Sequence, residues 1–174
     1  MSQEQKRIAA DIASVRGGYV RGPFAIWIRN PELAETAHKL GNALRIHGKL
    51  DRRLFELIIA VVAHHWSAQY EWYAHMKRGL EAGLPIELYE AIRTGKIPKF
   101  STDKERIVYE CVNELIKSKN LSQKSYDLLV QNLGLDDTIE LITVVGFYTM
   151  IAMVLNSFDY TVPESVKAGR SPLT

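Results

Sequence analysis

Apolar residues recur at helical spacing along most of the chain. Over residues 3–15, for example, Ile8, Ile12 and Val15 fall on one face of a predicted helix, which ends at a pair of glycines. No segment shows the sustained alternation of apolar and polar residues between turns that is typical of a half-buried strand. The pattern therefore predicts an all-α fold, a bundle of seven or eight helices in a single domain, which suits a chain of 174 residues.

Residues that favour helix ends divide this pattern into segments. Asn30 is an N-cap type followed by proline at the first helical position, and Gly83 is the kind of residue that follows a helix. Thr102 and Glu105 have the spacing of a capping box, in which each side chain bonds the other residue's backbone amide. The segment 98–102 is predicted to be a hinge between the two halves. Further helix starts are predicted at Asp51, Ser67, Pro85, Ser122 and Asp136.

The predicted domain has its core in residues 20–160, preceded by an N-terminal helix in residues 1–19 and followed by an irregular tail, residues 161–174. The N-terminus is polar and charged, so a standard secretory signal is not expected and the predicted localisation is cytoplasmic. The longest apolar stretch, residues 141–155, is shorter than the ~20 residues that a membrane-spanning helix needs. No membrane association is predicted.

Two segments indicate contacts with another subunit. Residues 141–155 are apolar on every side of the predicted helix, which on a soluble protein indicates central burial or a subunit interface. Residues 66–73 hold two tryptophans and two tyrosines, and aromatic residues concentrate in interfaces and pockets. Both features predict a homo-oligomer. The net charge of +2 argues against a nucleic-acid partner.

The densest group of reactive side chains lies in residues 56–75, which hold two glutamates and three of the five histidines. Glu71 and His75 are four residues apart, so on a helix they face each other. Such a pair can hold one imidazole tautomer and raise its basicity, which suits proton transfer near neutral pH. By spacing alone, most pairs of this kind only add a little helix stability. His64 and His65 are adjacent and point in different directions, so at most one of them can join the same site.

The spacing of this segment resembles that of the carboxymuconolactone decarboxylase/AhpD-like superfamily, which is marked by a glutamate followed, twelve residues later, by Cys-x-x-Cys-x-x-x-His. In this chain Glu56 is followed at the same spacings by Ala68, Glu71 and His75. Alanine and glutamate therefore stand where the two cysteines would be. The resulting Glu-x-x-x-His is similar to the pattern of the 4-carboxymuconolactone decarboxylases. The resemblance covers the predicted core, and its specific part is residues 56–84.

The resemblance implies an AhpD-like helical bundle that assembles as a trimer or hexamer. It also implies a lyase that uses acid/base chemistry on a small anionic metabolite derived from an aromatic ring, without a cofactor. His75 would be the acid/base and only partly buried, with Glu71 orienting it and Glu56 approaching from the preceding helix. Taken alone, each arginine is more simply interpreted as a solvated charge on a helix surface than as a ligand-binding residue. The predicted substrate-binding residues are Arg45, Arg53 and Arg78 for carboxylates, and His65, Tyr70 and Trp66 as hydrogen-bond donors or pocket wall.

Three other function classes remain open from the sequence. The main alternative is a non-enzymatic, oligomeric small-molecule binder of the same fold. A metal-dependent enzyme would draw its ligands from Glu56, Glu71, His75 and one of the adjacent histidines, although no tight motif such as His-Glu-x-x-His is present. A thiol peroxidase needs two thiols, and Cys111 is the only cysteine.

Overall fold

The computed structural model describes residues 1–162 of the chain. Within that range it contains nine α-helices and no strand, which confirms the all-α, single-domain fold. The prediction of seven or eight helices missed α2, because five residues are too few to show a periodic pattern. The predicted irregular tail lies outside the described residues from residue 163 onward. The helices are α1 (Gln3–Ser14), α2 (Pro23–Trp27), α3 (Pro31–Arg45), α4 (Arg52–His65), α5 (Gln69–Glu81), α6 (Ile86–Arg93), α7 (Asp103–Ser118), α8 (Gln123–Leu133) and α9 (Leu135–Ser157).

Helix α4 is the centre of the molecule. Every residue from Leu54 to Ala63 is buried, and the helix contacts α5, α6, α7 and α9. A helix that is apolar on all sides is stable only when neighbours cover it, and each large side chain buried in this way contributes about 1.5–3 kcal/mol. Glu56 is the one charged residue in the run. Because a buried carboxylate is costly when unpaired, Glu56 needs partners inside the protein.

Most helix starts follow the predicted caps. Two predicted starts are wrong. Helix α5 has Ala68 as its N-cap, and Ser67 instead adopts φ 50° in the turn before it. Helix α9 has Gly134 as its N-cap, which puts Asp136 in the first turn rather than at the cap. The confirmed caps, whose side chains accept a hydrogen bond from an amide of the first turn, are Asn30, Asp51, Thr102 and Ser122.

The connection 98–102 is fastened to the core rather than separating two bodies, because α7 beyond it packs against α4. The Arg53 guanidinium on α4 donates to the Glu105 carboxylate at 2.9 Å and to the Gly83 carbonyl at 2.7 Å. Glu105 also accepts from the Ser101 amide at 2.8 Å. That contact replaces the one expected with the N-cap amide, so the predicted capping box is only half formed.

Helix α9 is long and apolar enough, by length and composition, to cross a membrane. Half of its most apolar window is buried inside the protein, where the helix packs against α4 and α8. Burial of this kind is typical of the core helix of a folded domain. The opposite side of α9 remains exposed and carries large apolar side chains at Ile139, Ile142, Met150 and Met153.

Candidate active site

The candidate site forms where α4 and α5 pack side by side. A short turn at Ser67 reverses the chain between them, and Ala68 is fully buried at the start of α5. Glu71 and His75 then lie one helical turn apart on the side of α5 that faces Glu56 of α4. The turn thus brings together residues that are up to nineteen positions apart in the sequence.

The His75 imidazole lies between two buried carboxylates. Its Nδ1 is 2.6 Å from Glu56 Oε2, and its Nε2 is 3.1 Å from Glu71 Oε1. The side chains of Glu56 and Glu71 are almost completely buried. Tyr148 of α9 packs its ring edge-to-face on the imidazole, with 5.1 Å between the ring centroids. These contacts fix both the tautomer at Nδ1, which donates to Glu56, and the plane of the ring.

A third partner reaches the same imidazole. Arg78 Nη1 lies 3.0 Å from His75 Nε2, one turn further along α5. An imidazole nitrogen accepts from a guanidinium only when it carries no proton, whereas it must carry one to donate to Glu71. The Nε2 atom of His75 therefore has two alternative partners, and its protonation state decides which one it bonds.

The carboxylates favour the protonated imidazole. Burial by itself lowers the pKa of His75, but the charge of Glu56, its hydrogen bond and the matching contacts of Glu71 outweigh burial, so that the pKa is raised. Burial likewise raises the pKa of Glu56, yet the charge and hydrogen bond of His75 and the charge of Arg52 hold that pKa below its usual range. Arg52 also forms an ion pair with the second Glu56 oxygen. The two shifts have opposite directions, and both favour an ionised Glu56 beside a protonated His75.

A cavity of about 270 Å³ opens next to His75, between α5, α9 and the connection from α1 to α2. Its wall combines aromatic rings with charged side chains, a composition that suits a flat anionic ligand. The residues of the wall that matter for chemistry are Arg16, Phe24, Tyr70, Glu71, His75, Arg78 and Tyr148.

Of the nine predicted site residues, the structure brings six to this region. Glu56 lies behind His75 and reaches the cavity only through the imidazole. Arg45 is also behind the wall, where its charge acts on Arg78 and Glu56. The four that line the cavity are Tyr70, Glu71, His75 and Arg78.

The other three predicted residues do not reach the cavity. Arg53 is committed to the contacts with Glu105 and Gly83. His65 is exposed at the end of α4 and packs against Trp66, with 5.7 Å between ring centroids. His65 is the last residue of α4 and Trp66 is its C-cap, and neither lines the cavity.

His75 is more buried than expected. It was predicted to be partly buried, but only 5% of its surface is exposed, because both carboxylates and Tyr148 enclose the ring. The imidazole nevertheless forms part of the cavity wall, so a bound molecule can contact it.

Three residues of the site were not predicted from the sequence. Arg52 lies four residues before Glu56, a helical spacing that could have identified it. Tyr148 carries one of the few hydroxyls in the apolar stretch of α9, which is a weak signal. Arg16 comes from the distant N-terminal segment and carries no sequence signal of its own.

Neither thiol nor metal chemistry is favoured by the arrangement. Cys111 is buried on α7, its thiol donates to the Ser125 carbonyl at 3.7 Å, and burial raises its pKa, unlike the low pKa of a reactive cysteine. Among residues 1–162, no three His, Cys, Asp or Glu side chains are arranged to hold a metal ion. Both nitrogens of His75 are already engaged by protein groups.

The sequence model of the carboxymuconolactone decarboxylase family matches residues 31–104. That segment spans helices α3 to α6 and so includes Glu56, Glu71 and His75 with the turn that brings them together. A search of the curated proteins found no match. This match over residues 31–104 and the all-helical fold support the predicted resemblance to the carboxymuconolactone decarboxylase/AhpD-like superfamily.

Proposed function

We propose that this protein is a lyase that decarboxylates a small anionic metabolite derived from an aromatic ring, using acid/base chemistry. The observation that carries the proposal is the His75 imidazole, held between Glu56 and Glu71 at the wall of a cavity that also contains arginines. An imidazole with this environment is a proton donor matched to near-neutral pH. The family match supports the same class of reaction.

The proposed reaction needs a proton donor at one point. When the carboxylate leaves as CO₂, the electron pair of the broken C–C bond moves into the adjacent conjugated carbonyl group and forms an enolate. The enolate must then receive a proton on carbon. His75 gives the proton from Nε2, and Glu56 stabilises the imidazolium through Nδ1 until it has done so. Solvent then restores the proton to the imidazole.

Arg78 couples substrate binding to this proton transfer. In the free protein its guanidinium lies at His75 Nε2. A bound carboxylate attracts the guanidinium more strongly than a neutral nitrogen does, because a bidentate pair of opposite charges is formed. The anionic substrate therefore draws Arg78 away and leaves Nε2 free to hold its proton beside Glu71.

The direct test is to incubate the purified protein with 4-carboxymuconolactone and to measure CO₂ release. A lactone of the same ring without the carboxyl group serves as the control substrate and should release none. Turnover supports the proposal. If the protein binds carboxylated lactones without releasing CO₂ from any of them, it is a binder and the proposal is wrong.

The pH dependence gives a finer prediction for Glu71→Gln. The proposed reaction needs protonated His75, so the rate should fall as pH rises through the pKa of His75, which is raised above its usual value. Glu71 contributes to the raised value by its hydrogen bond and its charge, so its removal lowers the pKa and should move the alkaline limb of the kcat profile to lower pH. Glu81→Gln, at an exposed position in the same cavity wall, is the control and should leave the limb in place. An unmoved limb in Glu71→Gln would contradict the assignment.

We further propose that the exposed side of α9 is a contact between copies of this chain. Ile139, Ile142, Met150 and Met153 recur on one side of the helix, and within residues 1–162 no other part of the protein lies within 4 Å of a Cβ built on Gly146 between them. A continuous apolar strip of this kind is unfavourable in water unless covered.

Light scattering at micromolar concentration is expected to give three or six times the chain mass. Ile142→Lys should reduce that mass, because the buried ammonium would be unpaired at the contact. Ile97→Lys changes an isolated exposed isoleucine between α6 and α7 and should leave the mass unchanged. A wild-type protein with the mass of one chain would refute the proposal.

A further inference from the structure

We propose that Arg16, delivered by the N-terminal segment, binds a carboxylate of the ligand and so helps to set the specificity of the cavity. The inference rests on the proposed function only in placing the ligand in the same cavity. It assigns a role to a residue that lies outside the segment matched by the family model, residues 31–104.

The position of Arg16 is well defined. It follows α1, whose Ile8 and Ile12 are buried in the core, and its guanidinium stacks on the Phe24 ring at 4.3 Å from the centroid. Gly41 of α3 leaves room for it, because a Cβ at that position would lie 3.2 Å from Arg16 Nη2. These contacts hold the guanidinium plane at the cavity wall without using its hydrogen-bonding edge.

The hydrogen-bonding edge of the Arg16 guanidinium is not fully paired. Arg16 Nε is buried and has no hydrogen-bond partner among residues 1–162. A buried donor without a partner costs about 1–3 kcal/mol, more when the group is charged. Arg16 also lines the cavity, where the two oxygens of a carboxylate can match the fork of its guanidinium.

The charges around the cavity point to the same ligand class. Basic side chains outnumber carboxylates here: Arg16, Arg21, Arg45, Arg52, Lys77 and Arg78 against Glu56, Glu71 and Glu81. His75 adds to the positive side when it is protonated. Burial, followed by the neighbouring charges of Arg45 and Arg78, lowers the pKa of Arg16 to about 10. An anion in the cavity would offset the excess of positive charge.

Arg16 and Arg78 would then bind the ligand from two different sides. Arg78 lies against His75, so a carboxylate paired with it is next to the proton donor. Arg16 approaches from the α1–α2 side, together with Phe24, and can hold a second carboxylate or the other edge of the same one. A planar ligand with a carboxylate and an apolar ring therefore fits between the guanidinium pair and the aromatic wall.

The experiment measures binding and does not depend on turnover. Benzoate is titrated into the full-length protein by calorimetry, and benzamide serves as the neutral probe of the same shape. Wild type should bind benzoate clearly more tightly than benzamide, and Arg16→Gln should weaken benzoate at least tenfold without changing benzamide. Arg16→Lys keeps the charge but not the fork and should fall between the two. Arg106→Gln, which removes an exposed arginine on α7, should match wild type.

Each failure points to a different conclusion. Equal affinity of wild type and Arg16→Gln for benzoate would overturn the role of Arg16, and so would benzamide binding as tightly as benzoate. If Arg16→Gln fails to fold, Arg16→Lys with unchanged benzoate affinity would overturn it equally. Benzoate binding that depends on Arg16, in a protein that releases no CO₂ from any lactone, would refute the proposed function and leave this inference intact.

Discussion

Replacing His75 by glutamine is expected to lower kcat for the proposed decarboxylation by about a hundredfold or more, which is the usual contribution of a general acid. Glutamine keeps an uncharged hydrogen-bond donor beside Glu56 and Glu71, but it holds no proton that it can transfer near neutral pH. The measurement is kcat beside the free energy of unfolding in denaturant. A large loss of rate with a small loss of stability is the signature of a catalytic group.

Alanine is a poorer probe at this position. The ring is buried and bonded to Glu56, so removing it leaves a cavity and a buried carboxylate with one partner fewer. Such changes cost several kcal/mol, and the loss of rate would then be mixed with unfolding. His65→Gln at the exposed end of α4 is the matched control and should change neither quantity. Full turnover by His75→Gln would show that the proton comes from another group.

The fold was predictable because its signals are local. Helical periodicity and caps such as Asn30 and Asp51 depend on residues within one or two turns of each other, and these elements were located correctly. Ser67 and Asp136 failed as caps for a different reason. In both places the connection between packed helices fixes the backbone, so the N-cap falls one residue after Ser67 and two residues before Asp136.

Only the part of the site that lies on the neighbouring helices α4 and α5 was predictable from the sequence. The length of α4, the turn after it and the first two turns of α5 determine how close Glu56, Glu71 and His75 lie. Their proximity could therefore be predicted from their spacing in the sequence. Tyr148 reaches the cavity because α9 packs on α4, and Arg16 reaches it from the segment after α1, which packs on α3; each is more than fifty residues from His75 in the sequence. No local pattern records such a contact. Conversely, Arg53 was predicted to bind a substrate carboxylate because it is an arginine, but it pairs with Glu105 at the contact between α4 and α7.

Gly79→Ala is expected to lower the free energy of unfolding by about 3 kcal/mol, the range of a severe overpacking change. Gly79 is on α5, one turn after His75, and packs directly on Tyr89 of α6: a Cβ at this position would lie 1.7 Å from the Tyr89 hydroxyl oxygen. Tyr89 cannot step aside easily, because it is 1% exposed and its ring packs edge-to-face on Trp72. In an open helix the same change would stabilise by about 1 kcal/mol, so the sign of the effect identifies the close contact.

Removing the hydroxyl of Tyr89 tests whether a clash with this atom causes the loss of stability. Its hydroxyl is buried without a hydrogen-bond partner among the described residues, so Tyr89→Phe alone should be neutral or slightly stabilising. Combined with Gly79→Ala it removes the nearest clashing atom and leaves the ring carbon 2.8 Å from the new Cβ, so the double variant should recover part of the lost stability. Because α5 also carries Glu71 and His75, the single Gly79→Ala variant should lose activity as α5 shifts from α4, and Tyr89→Phe should restore part of it. Additive effects of the two substitutions on unfolding would mean that the helices do not meet at this point.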